Sequence, residues 1–110
     1  MTTALFIGRF QPFHKAHLQD IKNILKECDE VIIAIGSSQY SNTKENPFSA
    51  EERIQMIEDV LINEDIGNYT IFPVPDAGND KKWIEQLLTL VPKFDIVYTG
   101  NEWTENCFKN

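Results

Sequence analysis

Three apolar runs that each end in glycine are the feature that most constrains the fold of this chain. They read "TALFIG", ending at Gly8, "VIIAIG", ending at Gly36, and "FDIVYTG", ending at Gly100, and a fourth run, "YTIFPV", lies before the last of these. Nearly continuous runs of Val, Ile and Phe are typical of strands buried on both faces, as in a parallel sheet. The sequence therefore predicts four strands.

Segments with the spacing of amphipathic helices separate these runs. Ser49 followed three residues later by Glu52 predicts a capping box at the start of the second helix, and Pro92 predicts the end of the third. The order β-α-β-α-β-α-β predicts an α/β fold, a parallel sheet with helices on both faces. The apolar stripes of the three helices are Leu18, Ile21, Leu25 and Cys28; Ile54, Ile57 and Leu61; and Trp83, Ile84, Leu87, Leu88 and Val91.

Composition limits the class of protein further. A length of 110 residues predicts a single domain over residues 1–110, and a net charge of −7 argues against nucleic acid as a partner, because such binding depends on Lys and Arg. No apolar run approaches the ~20 residues that a membrane span needs. Cys28 and Cys107 form no CxxC motif and the N-terminus resembles no signal segment, so we expect a cytoplasmic protein without a membrane partner.

The stretch "GRFQPFHKAH", residues 8–17, joins the first strand to the first helix and carries the residues with most chemistry. Ligands of open parallel sheets bind outside the carboxyl ends of the strands, where the glycines lie. His14 and His17 are three apart in the first helical turn, where free backbone N–H groups and the helix dipole favour an anion. Arg9 can offer a planar fork to a phosphate. The placement predicts a phosphate site.

The two histidines have other interpretations besides phosphate binding. A zinc site would need a third ligand at short spacing, and nucleophilic catalysis would need a Ser or Cys paired with a base, and neither arrangement is present near the loop. A structural role, in which His14 caps the helix and His17 pairs within the core, stays open beside phosphate binding.

Four blocks of the chain resemble one family in order and without large gaps. The family is that of the nicotinamide mononucleotide adenylyltransferases of archaeal type, within the HxGH nucleotidyltransferase superfamily. The blocks are "GRFQPFHKAH" at 8–17, "IGSSQYSNTKENPFSAEERIQMI" at 35–57, "VPD" at 74–76 followed by Trp83, and "FDIVYTGN" at 94–101. The resemblance implies a Rossmann-like nucleotidyltransferase fold and transfer of the adenylyl group of ATP to nicotinamide mononucleotide, giving NAD and pyrophosphate.

The resemblance also implies roles for individual residues. Catalysis would rest on Arg9, His14 and His17, with Mg²⁺ bound on the ATP phosphates and no metal ligand from the protein itself. Trp83 would stack on the nicotinamide ring, although a Trp in an apolar stripe is more often core, and Arg53 is equally open to interpretation as a surface charge. The implied ATP-binding residues are Gly8, Arg9, Phe10, His14, His17, Gly100 and Asn101, and the implied nicotinamide mononucleotide-binding residues are Ser38, Asn46, Arg53, Asp76 and Trp83.

Two departures from the family pattern keep alternatives open. Ala16 stands where the HxGH motif has glycine, and no "SGTxxR" or "STSxxR" triphosphate-binding motif comes after the fourth strand, so we expect a chain truncated at its C-terminus. A non-catalytic nucleotide-binding module is one alternative. A related nucleotidyltransferase with another phosphorylated acceptor is the other. The sequence does not decide between a monomer and a homo-oligomer.

Overall fold

The predicted order of strands and helices is confirmed by a computed structural model, which describes residues 2–10, 12–36, 47–75 and 80–99. All three strand pairings are parallel, and the sheet has the order β3-β2-β1-β4. The elements are β1 (Thr3–Gly8), α1 (Lys15–Glu27), β2 (Glu30–Ile35), α2 (Ala50–Asn63), β3 (Tyr69–Pro73), α3 (Asp80–Leu90) and β4 (Ile96–Thr99).

Strand β1 lies between β2 and β4, and this position decides where a ligand can bind. From β1 the chain adds β2 and then β3 on one side, and it adds β4 on the other side. The strand order therefore reverses between β1 and β4. In open α/β sheets the crevice at such a reversal, outside the carboxyl ends of the strands, is the usual binding position. Gly8, the last residue of β1, lies at that edge.

Both faces of the sheet are covered, as the apolar runs predict. Phe6 and Ile33 face the helices α1 and α2 and pack with Ile21 and Ile57 in one core cluster. The alternate strand residues face α3 and form a second cluster, which includes Leu5, Ile7, Ile32, Ala34, Trp83 and Leu87. This alternation explains why the strands read as continuous apolar runs. The predicted α3 stripe is too wide by one residue, because Leu88 is 53% exposed.

The helix ends reflect local chemistry. The Ser49 side chain accepts from the backbone N–H of Glu52, and the Glu52 carboxylate accepts from that of Ser49, so the predicted capping box of α2 is confirmed. Helix α3 ends at Leu90, two residues before Pro92, because proline disfavours helical geometry in the residue before it. Among the residues described, no helix has the length and apolar character to span a bilayer.

Candidate functional site

A cleft of about 370 Å³ opens at the carboxyl end of β1 and the first turn of α1. Its size falls within the range of roughly 300–1,000 Å³ that is usual for small-molecule sites. It thus lies at the strand-order reversal and contains the stretch that the sequence singled out. The residues that line it are Phe6, Ile7, Gly8, Arg9, Phe10, Pro12, His14, Ala16, His17 and Asp20.

The two histidines of the cleft form the N-terminal cap of α1. His14 is the N-cap residue, and its Nδ1 accepts from the backbone N–H of Ala16 at 3.2 Å. The Nδ1 of His17 accepts in turn from the backbone N–H of His14 at 3.1 Å. The two rings stack with their centroids 3.8 Å apart. The histidines therefore take the places that Ser and Glu occupy in an ordinary capping box.

This cap selects the tautomer of both rings. A neutral imidazole carries its proton on one nitrogen, so a ring whose Nδ1 accepts a hydrogen bond must carry the proton on Nε2. The pKa of His17 is lowered from 6.5 to about 4, mainly by burial and secondly by the neighbouring His14, while Asp20 acts in the opposite direction. At neutral pH His17 is thus an uncharged Nε2–H donor. The predicted capping role of His14 and the donor role needed for phosphate are compatible in one geometry.

Packing against two aromatic rings holds the His17 ring in place. The Phe10 ring meets the His17 ring edge-on with the centroids 4.8 Å apart, and the Phe13 ring stacks on it at 5.5 Å. Phe10 is 2% exposed and has a φ of 52°, a left-handed conformation that is rare for a bulky residue. Such strain costs about 1–3 kcal/mol and is characteristic of functional sites. Burial of the Phe10 ring offsets it.

Gly8 is required because Phe10 folds back over it. A Cβ atom added at Gly8 would lie 2.9 and 3.0 Å from two carbons of the Phe10 ring. These separations are too short for real carbon contacts, so a side chain at position 8 would force the ring to move. The glycine that ends β1 therefore permits the close approach of the turn that comes after it.

Arg9 and Arg53 occupy very different environments. The Arg9 side chain is exposed and lines the cleft. Arg53 is 0% exposed, so its interpretation as an ordinary surface charge is wrong. Its Nη1 donates to the carbonyl oxygens of Arg9 at 2.9 Å and of Gly36 at 2.7 Å. The contact with nicotinamide mononucleotide that the resemblance implies for Arg53 stays a prediction.

Trp83, a described residue of the predicted set, does not line the cleft. Trp83 lies on the opposite face of the sheet, is 3% exposed and packs with Leu5 and Leu87 in the second core cluster. Its stacking on a nicotinamide ring stays a prediction. Residues outside the described part of the chain are Ser38, Asn46, Asp76, Gly100 and Asn101.

Sequence reasoning missed the acidic residue of the cleft, Asp20. It comes three positions after His17, as His17 comes three after His14, and this i, i+3 spacing places all three on one helical face. A carboxylate beside a phosphate site is unfavourable unless a cation is also present. Within the described residues, no group of three or more His, Cys, Asp or Glu side chains could hold a metal ion.

Comparisons with known proteins agree with this geometry. The model of the cytidylyltransferase-like family matches residues 5–107. The nicotinamide-nucleotide adenylyltransferase of Thermoplasma acidophilum is 50% identical over 105 residues, which are 96% of this chain and 59% of that protein. The enzyme of the same name from Pyrobaculum aerophilum is 44% identical over 99% of this chain and 62% of its own length. The chain thus spans about three fifths of these relatives.

Solved structures show the same fold. A bifunctional NMN adenylyltransferase/ADP ribose pyrophosphatase from Francisella tularensis, complexed with AMP and a manganese ion, superposes with a TM-score of 0.77 at 31% identity. The match covers 98% of this chain and 34% of that one. The parallel sheet described above is therefore the Rossmann-like nucleotidyltransferase sheet that the resemblance implied.

Proposed function

The chain belongs to the cytidylyltransferase-like family, and from this we propose that it transfers the adenylyl group of ATP to nicotinamide mononucleotide, giving NAD and pyrophosphate. The observation that carries the proposal is the pair of capping histidines, whose Nδ1 atoms accept backbone hydrogen bonds at 3.2 and 3.1 Å, which leaves Nε2 as the donor nitrogen in the cleft that Arg9 also lines. Homology to archaeal nicotinamide-nucleotide adenylyltransferases supports the choice of acceptor.

The proposed reaction requires hydrogen-bond donors to phosphate and no general base, and the described part of the site supplies such donors. An oxygen of the 5′-phosphate of nicotinamide mononucleotide bonds to the α-phosphorus of ATP. The bond from that phosphorus to the α,β-bridging oxygen breaks, and pyrophosphate leaves. The attacking phosphate is already an anion, so no side chain has to remove a proton. The protein has to align the reactants and stabilise the charge that develops on the phosphate oxygens.

Six of the residues that line the cleft have a part in this scheme. Arg9 pairs with phosphate oxygens through its guanidinium, and His14 and His17 donate to them from Nε2. The N-terminus of α1 adds its dipole in the same direction. Backbone at Gly8 and Phe10 lies against the nucleotide. Mg²⁺, held on the ATP phosphates, would neutralise part of their charge and relieve the repulsion from Asp20.

The residues that would bind the second substrate, nicotinamide mononucleotide, are assigned from the family resemblance alone. Trp83 stacks on the nicotinamide ring in this proposal, and Asp76 meets the carboxamide or ribose. Ser38 and Asn46 complete the acceptor site. Gly100 and Asn101, which follow β4 in the sequence, meet the adenosine in this proposal. The substrates are small soluble nucleotides, so a cytoplasmic location fits the proposal.

The direct test is incubation with ATP, Mg²⁺ and nicotinamide mononucleotide, with NAD and pyrophosphate both measured. Equal amounts of the two products are expected. ATP binding without either product would contradict catalysis and support the non-catalytic module. Pyrophosphate release with another phosphorylated acceptor, but not with nicotinamide mononucleotide, would contradict the choice of acceptor.

His17→Gln separates the donor role of His17 from its structural one. Glutamine at the third helical position can still accept from the backbone N–H of residue 14 through Oε1, as in an ordinary capping box, but its amide N–H is not held where the imidazole Nε2–H of His17 lies. Turnover or ATP affinity should fall by about tenfold or more, as expected for a lost charge-assisted hydrogen bond. The melting temperature should stay close to that of the wild type. Parallel losses of activity and melting temperature would mean that His17 is purely structural.

A further inference from the structure

Arg53 is a fully buried cation whose described hydrogen bonds all go to backbone carbonyls. One nitrogen, Nη1, donates to Arg9 O at 2.9 Å and to Gly36 O at 2.7 Å, and Nε donates to Ser49 O at 3.1 Å. The residue is 0% exposed. A buried charge is costly unless hydrogen bonds compensate it, and these three carbonyls contribute to that compensation.

The two bridged carbonyls belong to the residues at which the chain leaves the sheet. Arg9 comes directly after β1 and Gly36 directly after β2, and the backbone N–H of Gly36 donates to Gly8 O at 2.9 Å. Arg53 thus connects the residues that directly follow β1 and β2, just beyond the pairing of the two strands. A guanidinium has donors in a fixed planar fork, whereas a lysine ammonium is a compact point charge. The bridge is specific to arginine.

The position of the Arg9 carbonyl influences the conformation of the next residue, Phe10. The Arg9 carbonyl and the Phe10 N–H belong to one planar peptide group, so fixing that oxygen orients the peptide at which the left-handed Phe10 begins. The Phe10 ring then meets His17 at 4.8 Å. Arg53 is connected in this way both to the Arg9 side chain and, through Phe10, to His17.

We propose that Arg53 is a positioning residue, which bridges the carbonyls of Arg9 and Gly36 and so holds the turn of Arg9 and Phe10 in its phosphate-binding geometry. This inference rests on the proposed function for its prediction about ATP. It differs from the direct contact with nicotinamide mononucleotide that the resemblance implies, because the residue acts on the ATP side and through the backbone.

ATP affinity, measured by calorimetry, tests the role with a matched control. Arg53→Met removes the charge at similar length, and Arg53→Lys keeps the charge without the fork. Ile57→Ala is the control, because Ile57 lies one turn along α2 and is equally buried, but its side chain has no hydrogen-bond donor for either carbonyl. Both Arg53 variants should bind ATP about tenfold more weakly, the effect of losing one charge-assisted hydrogen bond, and Ile57→Ala should stay within about twofold.

Hydrogen exchange at the Gly36 amide supplies a readout that needs no ligand. In Arg53→Lys and Arg53→Met, this amide should lose protection beyond the general loss across the sheet, whereas Ile57→Ala should show the general loss alone. If the wild-type chain binds no ATP, the proposed function fails, and the exchange measurement still decides the bridging role. If Arg53→Met does not fold, Arg53→Lys carries both measurements.

Three results would overturn the inference. One is a Gly36 amide whose protection falls only in step with the rest of the sheet. Another is wild-type ATP affinity and exchange in Arg53→Lys, since charge without the fork would then suffice. The third is an Arg53→Met variant that loses affinity for nicotinamide mononucleotide while it keeps its affinity for ATP, which would mean direct substrate contact.

Discussion

Replacing Gly8 by alanine should disrupt the site from within, because the added methyl group meets the Phe10 ring. The new Cβ would lie 2.9, 3.0 and 3.3 Å from three carbons of that ring. Overpacking of this kind costs about 1–3 kcal/mol, and the ring cannot move without loosening its contact with His17. For a chain of this size 1 kcal/mol corresponds to about 4 °C in melting temperature. Gly8→Ala should therefore melt at least ~4 °C below the wild type and bind ATP more weakly.

Two other glycines provide matched controls for this prediction. At Gly36 the added Cβ would lie 3.8 Å from Gly8 O and 3.9 Å from Arg9 Cγ, which are ordinary contacts, and at Gly67 nothing lies within 4 Å. Neither residue has a positive φ. Alanine at these positions should be neutral, or stabilising by about 0.4–1 kcal/mol through the unfolded chain.

A double-mutant cycle identifies the cause of the loss. Phe10→Leu removes the three ring carbons that the new methyl group would meet, so Gly8→Ala should cost little in that background. The coupling energy from urea unfolding should be about 1–3 kcal/mol. Additive effects of the two substitutions, or a Gly8→Ala variant as stable as Gly36→Ala, would refute the steric argument.

Three further predictions concern α1. The pKa of His17 is lowered from 6.5 to about 4 in the folded protein, so the unfolded chain binds a proton more readily. The melting temperature should therefore fall as the pH drops from 6.5 to 4, and this part of the loss should be absent in His17→Gln. Equal pH profiles of melting temperature for the two proteins would contradict this prediction. Ala16→Gly should bind ATP more tightly in calorimetry, since Ala16 lines the cleft. Its lower helix propensity should reduce the stability of the fold by no more than about 1 kcal/mol. Weaker binding would show that the methyl group of Ala16 does not obstruct phosphate. Lys22→Met should change the free energy of unfolding by less than about 1 kcal/mol, because its ion pair with Glu64 at 3.2 Å is 40% and 36% exposed.

The fold was accessible to sequence reasoning because its signals are local and redundant. The run "TALFIG" predicts β1 at the same residues, Thr3–Gly8, where the structure has it. The capping box at Ser49 and Glu52 fixes the start of α2. Each of these signals depends on residues within a few positions of one another. The strand-order reversal is consistent with the alternation of strands and helices and the usual handedness of their connections.

The internal construction of the site was not accessible in the same way. Arg53 forms hydrogen bonds to backbone carbonyls 44 and 17 positions away in the chain. A sequence does not indicate which backbone carbonyls lie near a given side chain. The left-handed conformation of Phe10 gives no signal either, because glycine or asparagine is the usual residue there. The cap formed by His14 and His17 was predicted in part, but the use of Nδ1 by both rings depends on rotamers that spacing does not specify.

The central claim is that two histidines, held by the cap of α1 with Nδ1 as the acceptor, present Nε2–H groups to the phosphates of ATP. Long-range ¹H–¹⁵N spectra of the imidazoles measure this directly, because they distinguish the two neutral tautomers from the charged ring. At pH 7 both His14 and His17 should be Nε2–H tautomers, and both Nε2 resonances should shift on addition of ATP with Mg²⁺. Either ring with its proton on Nδ1, or Nε2 resonances that ATP leaves unchanged at saturation, would contradict the account.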